Sequence, residues 1–249
     1  MLFRSNPPFR KTGGNWKNGC RCMHEILNPL NIISGHSQSL LIERKNDGNL
    51  CNDLNSIMEE IQRISKIISS LLKFSRKGNM EFKKSDIRKE LESVLFLVEK
   101  EMQLEGIQTI RKFDSEILPV FIDTDGMRQV FLNIINNAKF AMHRGGVFTV
   151  STEVLIPEEN WSFYQGKDSP TPNPKKIMRV KFSDAGLGIR KEDMEKIFEP
   201  FFTTKPEEKG TGLGLSVSYY IIEKHGSRLE VESALGIGTA VIIDLPIRE

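Results

Sequence analysis

Residues 209–216 read Lys-Gly-Thr-Gly-Leu-Gly-Leu-Ser and stand immediately before a segment whose apolar residues have helical spacing. Glycine lets a backbone come close to a bulky anion, and the N-terminus of a helix favours negative charge. The stretch lacks the Gly-Lys-Ser/Thr ending of a Walker loop and the preceding strand of a Rossmann fingerprint. It therefore predicts a phosphate-binding loop of a different class, with a flexible hinge as the alternative.

Upstream of this loop, residues 184–188 read Asp-Ala-Gly-Leu-Gly and follow a predicted strand that ends at Phe182. A carboxylate at the end of a strand can accept a hydrogen bond from an exocyclic amine. Gly186 and Gly188 would let the chain turn beneath a flat ring. We therefore expect Asp184 to recognise a ring that carries an amine.

Two asparagines lie four residues apart on a predicted helix, Asn133 and Asn137, so that both amides face the same way. Amide oxygens suit a hard ion such as Mg²⁺, which also takes phosphate oxygens and water. The alternative is a solvated helix face or a cap. Apolar neighbours crowd this segment and disfavour a plain surface stripe: Phe131, Leu132, Ile134 and Ile135.

A histidine opens the first predicted helix, in the segment His24-Glu25-Ile26-Leu27-Asn28-Pro29-Leu30. Imidazole has a pKa near neutrality, so an unprotonated ring nitrogen is available as a nucleophile at pH 7. Glu25 could accept a proton or orient the ring, and Asn28, one turn further on, could place a water molecule. The alternative is a structural histidine near the start of a helix.

Residues 23–76 show the periodicity of two helices joined by turn chemistry at Lys45–Asn49. The second helix has an apolar heptad seam: Leu50, Leu54, Ile57, Ile61, Ile64, Ile68 and Leu71. The first follows the same rhythm more weakly: Ile26, Leu30, Ile33, Ser37 and Leu40. One hairpin cannot bury such a seam alone, so we expect two chains to pair in a four-helix bundle. The alternative is a hairpin packed on its own C-terminal domain.

Residues 77–249 mix helical and strand patterns, which predicts a two-layer α/β sandwich behind the helical hairpin. The predicted helices are Asp86–Glu105, Asp125–Met142, Lys191–Ile197 and Leu213–His225. The predicted strands are Ile107–Phe113, Val120–Ile122, Val147–Leu155, Ile177–Phe182, Arg228–Ser233 and Thr239–Leu245. A polar, proline-containing excursion is expected over Pro157–Lys176.

Composition excludes several classes of protein. Basic and acidic residues number 35 and 33, and the net charge of +2 argues against a general nucleic-acid binder. The longest apolar run, Val94–Val98, is far shorter than the roughly 18 residues that cross a bilayer. Three cysteines cannot form a disulfide framework, so a reducing compartment is expected.

The first 22 residues are basic, contain no acidic residue and are interrupted by proline and glycine. No apolar core of a secretory signal is present. We expect a flexible basic linker over residues 1–22, in preference to an organelle address or an arm that binds a lipid surface.

Five segments resemble, in the same order, the H, N, G1, F and G2 boxes of two-component sensor histidine kinases. They are the segments at His24, at Asn133–Ala138, at Asp184–Gly188, at Phe198–Lys205 and at Gly210–Ser216. The resemblance covers about residues 23–249 and implies an α+β chain: a hairpin in a dimeric four-helix bundle, residues 23–77, and a GHKL-type ATP-binding sandwich, residues 78–249. The short connection between the last two boxes resembles the nitrogen-regulation-like subgroup.

The resemblance implies a role for each candidate residue. His24 would be the phosphoacceptor, Glu25 its acid/base partner, and Asn28 a residue for phosphatase activity. The remaining residues would bind ATP and Mg²⁺: Asn137 and Asn133 at the metal, Asp184, Gly186, Gly188 and Thr239 at the adenine, and Lys205, Gly210, Gly212, Leu213 and Gly214 at the phosphates.

The implied activity is transfer of the ATP γ-phosphoryl group to His24 and then to an aspartate of a response regulator. The expected partners are a second copy of the chain and a receiver domain, with no nucleic acid. A cytoplasmic location is expected, with membrane attachment only through an upstream region. A GHKL-type ATPase or Ser/Thr kinase with a structural His24, and a degenerate nucleotide-binding scaffold, are the alternatives.

Departures from the family pattern occur at Met23, at Phe140 and at His225-Gly226-Ser227. Phe140 stands where many members carry a polar or basic side chain near the phosphates. His24 lies close to the first residue, so sensor input is expected to be absent or removed.

Overall fold

The computed structural model describes residues 3–5, 19–43, 48–75, 80–116, 118–157, 174–206 and 210–247. The chain divides into two units. The first, here called the sheet unit, takes Met1–Phe9, Asn79–Pro200 and Gly214–Glu249. The second, here called the hairpin unit, takes Arg10–Gly78 and Phe201–Leu213.

The sheet unit is built on six strands in the order β1-β7-β8-β6-β5-β3. Their bounds are β1 Phe3–Ser5, β3 Ile107–Lys112, β5 Gly146–Leu155, β6 Ile177–Asp184, β7 Arg228–Ala234 and β8 Gly238–Pro246. The β3–β5 pair is parallel and the other pairs are antiparallel. A separate antiparallel pair joins β2 Phe82–Ser85 to β4 Val120–Asp123.

Three helices belong to this unit: α3 Ile87–Leu104, α4 Thr124–Ala141 and α5 Gly214–Lys224. Helix α4 packs against both α3 and α5 and against strand β6. Its buried side chains recur at helical spacing: Met127, Val130, Phe131, Ile134, Ile135 and Ala138. Helices on a mixed sheet confirm the predicted α/β sandwich.

Three fully buried phenylalanine rings form the centre of this core. The Phe131 ring on α4 lies 5.5 Å from the Phe182 ring on β6, centroid to centroid, and Phe148 on β5 lies 6.3 Å from Phe182. Such pairs add to the free energy gained by burying the rings. They fix the position of α4 on the sheet.

The hairpin unit contains α1 Gly19–Glu43 and α2 Gly48–Ser75, which pack against each other. Where side chains are described, the predicted seam is divided in two. Leu30, Ser37, Leu54 and Ile61 are 8% exposed or less. Ile33, Leu40, Ile57 and Ile64, which alternate with them, are 39% to 47% exposed. A single hairpin therefore covers one half of its own seam.

Several elements differ from the sequence prediction. The sequence predicts a flexible linker over residues 1–22. In the structure, Phe3–Ser5 pair with β7 and α1 begins at Gly19. Gly48, predicted in the turn, begins α2. Strand β2 has no counterpart in the prediction. Its partner β4 lies well downstream, so the pairing leaves no local pattern.

The helix predicted over Lys191–Ile197 is wrong, because this segment is a succession of turns. Its backbone bonds join residues three apart, such as Met194 N–H to the Lys191 carbonyl and Lys196 N–H to the Asp193 carbonyl. The Asp193 carboxylate pairs with the Arg190 guanidinium at 2.8 Å and is buried there. Pro200 soon follows and disfavours helical geometry in the residue before it.

No helix in the described parts of the chain is long and apolar enough to cross a membrane. Most of the predicted excursion over Pro157–Lys176 lies outside the described residues, as does most of the Lys45–Asn49 turn.

A buried histidine at the end of α5 joins this helix to strand β4. His225 Nε2 accepts a hydrogen bond from Asp123 N–H at 3.0 Å, and Nδ1 lies 2.7 Å from the Ile221 carbonyl oxygen, to which it donates. The ring also meets Phe82 edge-on at 4.9 Å. Both nitrogens are therefore used by the neutral imidazole, and burial lowers the pKa of His225.

Acid is expected to destabilise the sheet unit through His225. Its folded pKa lies below the unfolded value of 6.5, so the unfolded chain takes up the proton first. The free energy of unfolding should be highest above pH 6.5 and fall as the pH drops from there toward the folded pKa. Denaturant titrations between pH 7.5 and 5 should show this loss in the wild type and a flatter profile in His225→Gln. The exposed His143→Gln is the matched control and should keep the wild-type profile. Equal slopes for wild type and His225→Gln would contradict this account.

Candidate functional site

The Asp184 carboxylate lies at the end of β6 and is held by two backbone donors. Its Oδ1 accepts from Gly186 N–H at 2.9 Å and from Thr239 N–H, on the neighbouring strand β8, at 3.2 Å. Two hydrogen bonds between described residues reach this carboxylate, and both of them end on Oδ1. The geometry leaves Oδ2 to accept from another donor, such as the exocyclic amine predicted from the sequence.

Burial and these hydrogen bonds act in opposite directions on the Asp184 pKa. Burial raises it above 3.8 and is the larger effect, while the Gly186 and Thr239 amides lower it. The pKa of Asp184 is therefore above its ordinary value, and the two amides limit the rise because they favour the charged form.

Near Asp184, positions 186 and 188 require glycine because neighbouring backbone lies too close for a side chain. A Cβ at Gly186 would lie 2.8 Å from the Ala141 carbonyl oxygen at the end of α4. Gly188 has φ +69°, and a Cβ there would clash with the Ala234 carbonyl oxygen. The sequence suggested that these glycines let the chain turn beneath a flat ring, which stays a prediction. The structure shows that their space is taken by the chain itself, which ties this loop to α4 and to the β7–β8 turn.

A buried serine that the sequence analysis missed completes this end of the site. Ser233 Oγ accepts from Ile189 N–H at 2.9 Å, donates to the Gly238 carbonyl at 2.9 Å and lies 3.0 Å from Thr239 Oγ1. Gly238 in turn packs against the Asp184 carbonyl so closely that a Cβ would clash. Two segments that are distant in sequence, residues 184–189 and 233–239, thus converge on Asp184 and Thr239, which share a register position.

The two predicted metal ligands, Asn133 and Asn137, lie on α4 and are both partly buried. Asn133 Nδ2 donates to the Gly214 carbonyl at 3.1 Å and to Ser218 Oγ at 3.2 Å, both on α5. The structure therefore brings Asn133 together with the first residue of α5. No cluster of three or more His, Cys, Asp or Glu side chains that could hold a metal occurs in the described part of the chain.

The other phosphate-loop candidates belong to the hairpin unit: Lys205, Gly210, Gly212 and Leu213. A Cβ at Gly210 would lie 2.5 Å from Thr203 Oγ1, and one at Gly212 would clash with the Phe201 backbone. Phe201 N–H also donates to the Gly212 carbonyl at 3.0 Å. The glycines thus let two parts of this segment approach each other closely.

Two features of this segment are unusual. Among the described residues only Phe201 has a positive φ, +69°, without being glycine, and its side chain is largely exposed. Strained backbone of this kind is found mostly at functional sites. Burial lowers the pKa of Lys205, the predicted charge partner of the phosphates.

The three residues predicted for phosphotransfer, His24, Glu25 and Asn28, lie on α1 of the hairpin unit. Their backbone is helical, as the sequence predicts, and their side chains lie outside the described part of the structure. His24 is the sixth residue of α1.

Two family models match the chain. Residues 23–79 match the His Kinase A (phospho-acceptor) domain. Residues 122–249, just over half of the chain, match the histidine kinase-, DNA gyrase B-, and HSP90-like ATPase. The chain belongs to the sensor histidine kinases. The nitrogen-regulation-like subgroup stays a prediction.

Curated relatives agree with this assignment. The chain is 30% identical to sporulation kinase E of Bacillus subtilis (strain 168), over 91% of this chain and 28% of the relative. It is 32% identical to the signal transduction histidine-protein kinase AtoS of Escherichia coli (strain K12), over 90% of this chain and 33% of the relative. The chain therefore spans about a third of the length of these relatives.

Solved structures show the same fold. The catalytic domain of histidine kinase ThkA superposes with a TM-score of 0.54 at 30% identity, over 68% of this chain and 97% of that domain. ThkA in complex with the response regulator protein TrrA gives a TM-score of 0.62 at 28% identity, over 92% of this chain and 61% of that chain.

The residues present fit ATP, because Asp184 Oδ2 is an acceptor of the kind that an adenine amine requires. They also fit Mg²⁺, because the amide oxygens of Asn137 and Asn133 are the hard donors that this ion prefers. Ser233, Gly238 and Ser218 were not found from the sequence. Of these three residues, only Gly238 stands in a recognisable sequence pattern, a glycine-rich turn.

Changing Asp184 to Asn should weaken ATP binding by roughly 1–3 kcal/mol, because an amide group would place a donor opposite the adenine amine. Calorimetry on the full chain measures the affinity. The exposed Asp125→Asn on α4 is the matched control and should bind ATP as the wild type does. An unchanged affinity in Asp184→Asn would remove this carboxylate from the nucleotide site.

Proposed function

We propose that this protein transfers the γ-phosphoryl group of ATP to His24 and then to an aspartate of a response regulator. The observation that carries the proposal is the combination of two parts in one chain: a helical hairpin with His24 on α1, and a sheet unit in which the Thr239 amide donates to the Asp184 carboxylate at the end of β6. Other ATPases of the superfamily lack the first part.

In the first step a neutral ring nitrogen of His24 attacks the γ-phosphorus of ATP. A phosphorus–nitrogen bond forms while the bond to the β-phosphate oxygen breaks, and ADP leaves with that electron pair. Glu25 is proposed to take the proton released by the ring. In the second step a carboxylate oxygen of the regulator attacks the phosphorus, the phosphorus–nitrogen bond breaks, and the His24 ring leaves with that electron pair and takes back a proton. Asn28 is proposed to place a water molecule for the hydrolysis of that phosphoaspartate.

The sheet unit would bind and orient the nucleotide for this transfer. Asp184 reads the adenine, and its neighbour Thr239 lines the same pocket. Mg²⁺, held by Asn137 and Asn133, would neutralise the charge of the phosphates. Lys205 and the glycines of residues 210–214 would contact the same phosphates. We place the functional boundaries at residues 23–77 for the phosphoacceptor hairpin and 78–249 for the ATP-binding domain.

The division of the heptad seam supports a homodimer. Leu54 and Ile61 are covered within one hairpin, whereas Ile57 and Ile64 are exposed. Large apolar side chains gain about 1.5–3 kcal/mol each on burial. A second copy related by a two-fold axis would cover the exposed half and complete a four-helix bundle. The crystallised ThkA–TrrA complex supports a response regulator as the further partner.

His24→Gln should abolish phosphorylation of the chain and leave ATP binding unchanged, because the change removes the acceptor and no nucleotide contact. The measurement is incubation of the full chain with γ-labelled ATP and Mg²⁺, followed by acid and alkali treatment. A phosphohistidine is labile in acid and stable in alkali. His36→Gln, an exposed histidine on the same helix, is the matched control and should keep the label.

Other outcomes of this experiment overturn the proposal in distinct ways. An acid-stable label points to a Ser/Thr kinase, and ATP hydrolysis without any label points to an ATPase with a structural His24. Absence of nucleotide binding leaves a degenerate scaffold.

Ile33→Lys should raise the dissociation constant of the dimer by more than roughly tenfold, since each dimer loses two apolar contacts in the exposed half of the seam. Light scattering across a dilution series measures it, and circular dichroism checks that the helices remain. Ile32→Lys, one residue earlier and 61% exposed but off the seam, is the matched control. A wild-type monomer at micromolar concentration would contradict the bundle.

A further inference from the structure

A small side-chain network joins helices α4 and α5 beside the proposed nucleotide site. Asn133 Nδ2 donates to the Gly214 carbonyl oxygen at 3.1 Å and to Ser218 Oγ at 3.2 Å. Ser218 Oγ in turn donates to the same Gly214 carbonyl at 2.9 Å. Three groups thus form a closed triangle of hydrogen bonds, here called the Asn133–Ser218 clamp.

The clamp holds the nitrogen end of the Asn133 amide against α5. A side-chain amide carries two N–H donors and one acceptor oxygen. Both acceptors of the clamp, the Gly214 carbonyl and Ser218 Oγ, lie on the same side of Nδ2 and 2.9 Å from each other, so the amide nitrogen faces α5. No hydrogen bond between described residues uses Asn133 Oδ1. Ser218 is completely buried, at 0% exposure, so water cannot replace its hydroxyl.

With its nitrogen facing α5, the Asn133 amide presents its oxygen on the other side. An amide oxygen binds a cation or the hydrogen of a water molecule, and it repels a phosphate oxygen. A free amide nitrogen, in contrast, would donate to a phosphate directly. Asn137 lies one helical turn further along α4, so its amide faces the same way as Asn133.

We propose that Ser218 is a positioning residue for nucleotide binding: by occupying the Asn133 amide nitrogen it makes Asn133 present an oxygen, which selects Mg²⁺ or a water bound to it over the bare phosphates. The proposal rests on the proposed function of this site and assigns a role to a residue outside the glycine loop. The clamp also ties the first residue of α5 to α4, one turn from Asn137.

Loss of the Ser218 hydroxyl has a particular consequence under this proposal. Asn133 Nδ2 then keeps one acceptor, the Gly214 carbonyl, and the amide is held less firmly. Binding of Mg·ATP should weaken because the oxygen is no longer held in place. Binding of ATP without metal should not weaken, because a phosphate makes no contact with that oxygen.

The test is calorimetry of ATP binding to the full chain, with Mg²⁺ and again with EDTA. Ser218→Ala should weaken binding roughly three- to tenfold in Mg²⁺, the usual range for one neutral hydrogen bond, and leave the EDTA value unchanged. Ser227→Ala removes another buried hydroxyl, which is bonded only to the His225 carbonyl among the hydrogen bonds between described residues. As the matched control it should bind ATP like the wild type in both conditions.

A double-variant cycle separates positioning from stability. In the Asn133→Ala background, Ser218→Ala should have no further effect on Mg·ATP binding, since its action passes through that amide. Equal losses in Mg²⁺ and EDTA, or full additivity with Asn133→Ala, would show a purely structural clamp and overturn the proposal. Should Ser218→Ala fail to fold, Ser218→Cys decides by the same comparison of Mg²⁺ with EDTA, because its thiol is only a weak hydrogen-bond acceptor. A wild type that binds no ATP would instead refute the proposed function.

Discussion

The positions of two polar groups of the site depend on the contact between the Phe131 and Phe182 rings. Each ring lies two residues before a residue of the site: Phe131 before Asn133 and Phe182 before Asp184. On a strand two residues bring the chain back to the same face, so Asp184 points to the helical layer as Phe182 does. On a helix two residues lead toward the opposite face, so Asn133 turns from the core toward α5. One buried aromatic contact at 5.5 Å thereby sets the positions of both polar groups.

Local patterns predicted most of the elements and the order of the candidate site residues. The boundaries of α3, α4, β5 and α5 agree with the prediction within a residue or two, because caps and apolar spacing are local properties. The sequence also singled out Asp184, a carboxylate at the end of a strand before two glycines, and its role in adenine recognition stays a prediction. The prediction of a helix over Lys191–Ile197 was wrong. Turns with hydrogen bonds between residues three apart can show the same apolar spacing as an α-helix, so this spacing does not distinguish the two.

Partners that lie far apart in the chain could not be found in this way. The sequence shows that Gly188 is a glycine and does not show that the Ala234 carbonyl occupies the space of a Cβ. Nothing in the sequence distinguishes Ser233 and Ser218 from other residues of a strand and a helix. Their hydrogen-bond partners, Ile189, Thr239 and Asn133, lie beside them only in the folded chain. The seam of the hairpin gives a similar case. Heptad spacing located it, but only the structure shows which of its residues one chain covers alone.

Strand β1 gives the connectivity of the chain an unexpected order. The polypeptide contributes Phe3–Ser5 to the sheet, departs to form α1 and α2, and returns to the same unit at β2. In topological terms the phosphoacceptor hairpin is an insertion between two strands of the nucleotide-binding unit, with a covalent tether at each end. In a chain shortened to begin at α1, the hairpin would be connected to the sheet unit at one end only. It would also uncover the backbone donors and acceptors along the edge of β7, a surface that invites pairing with other extended chains.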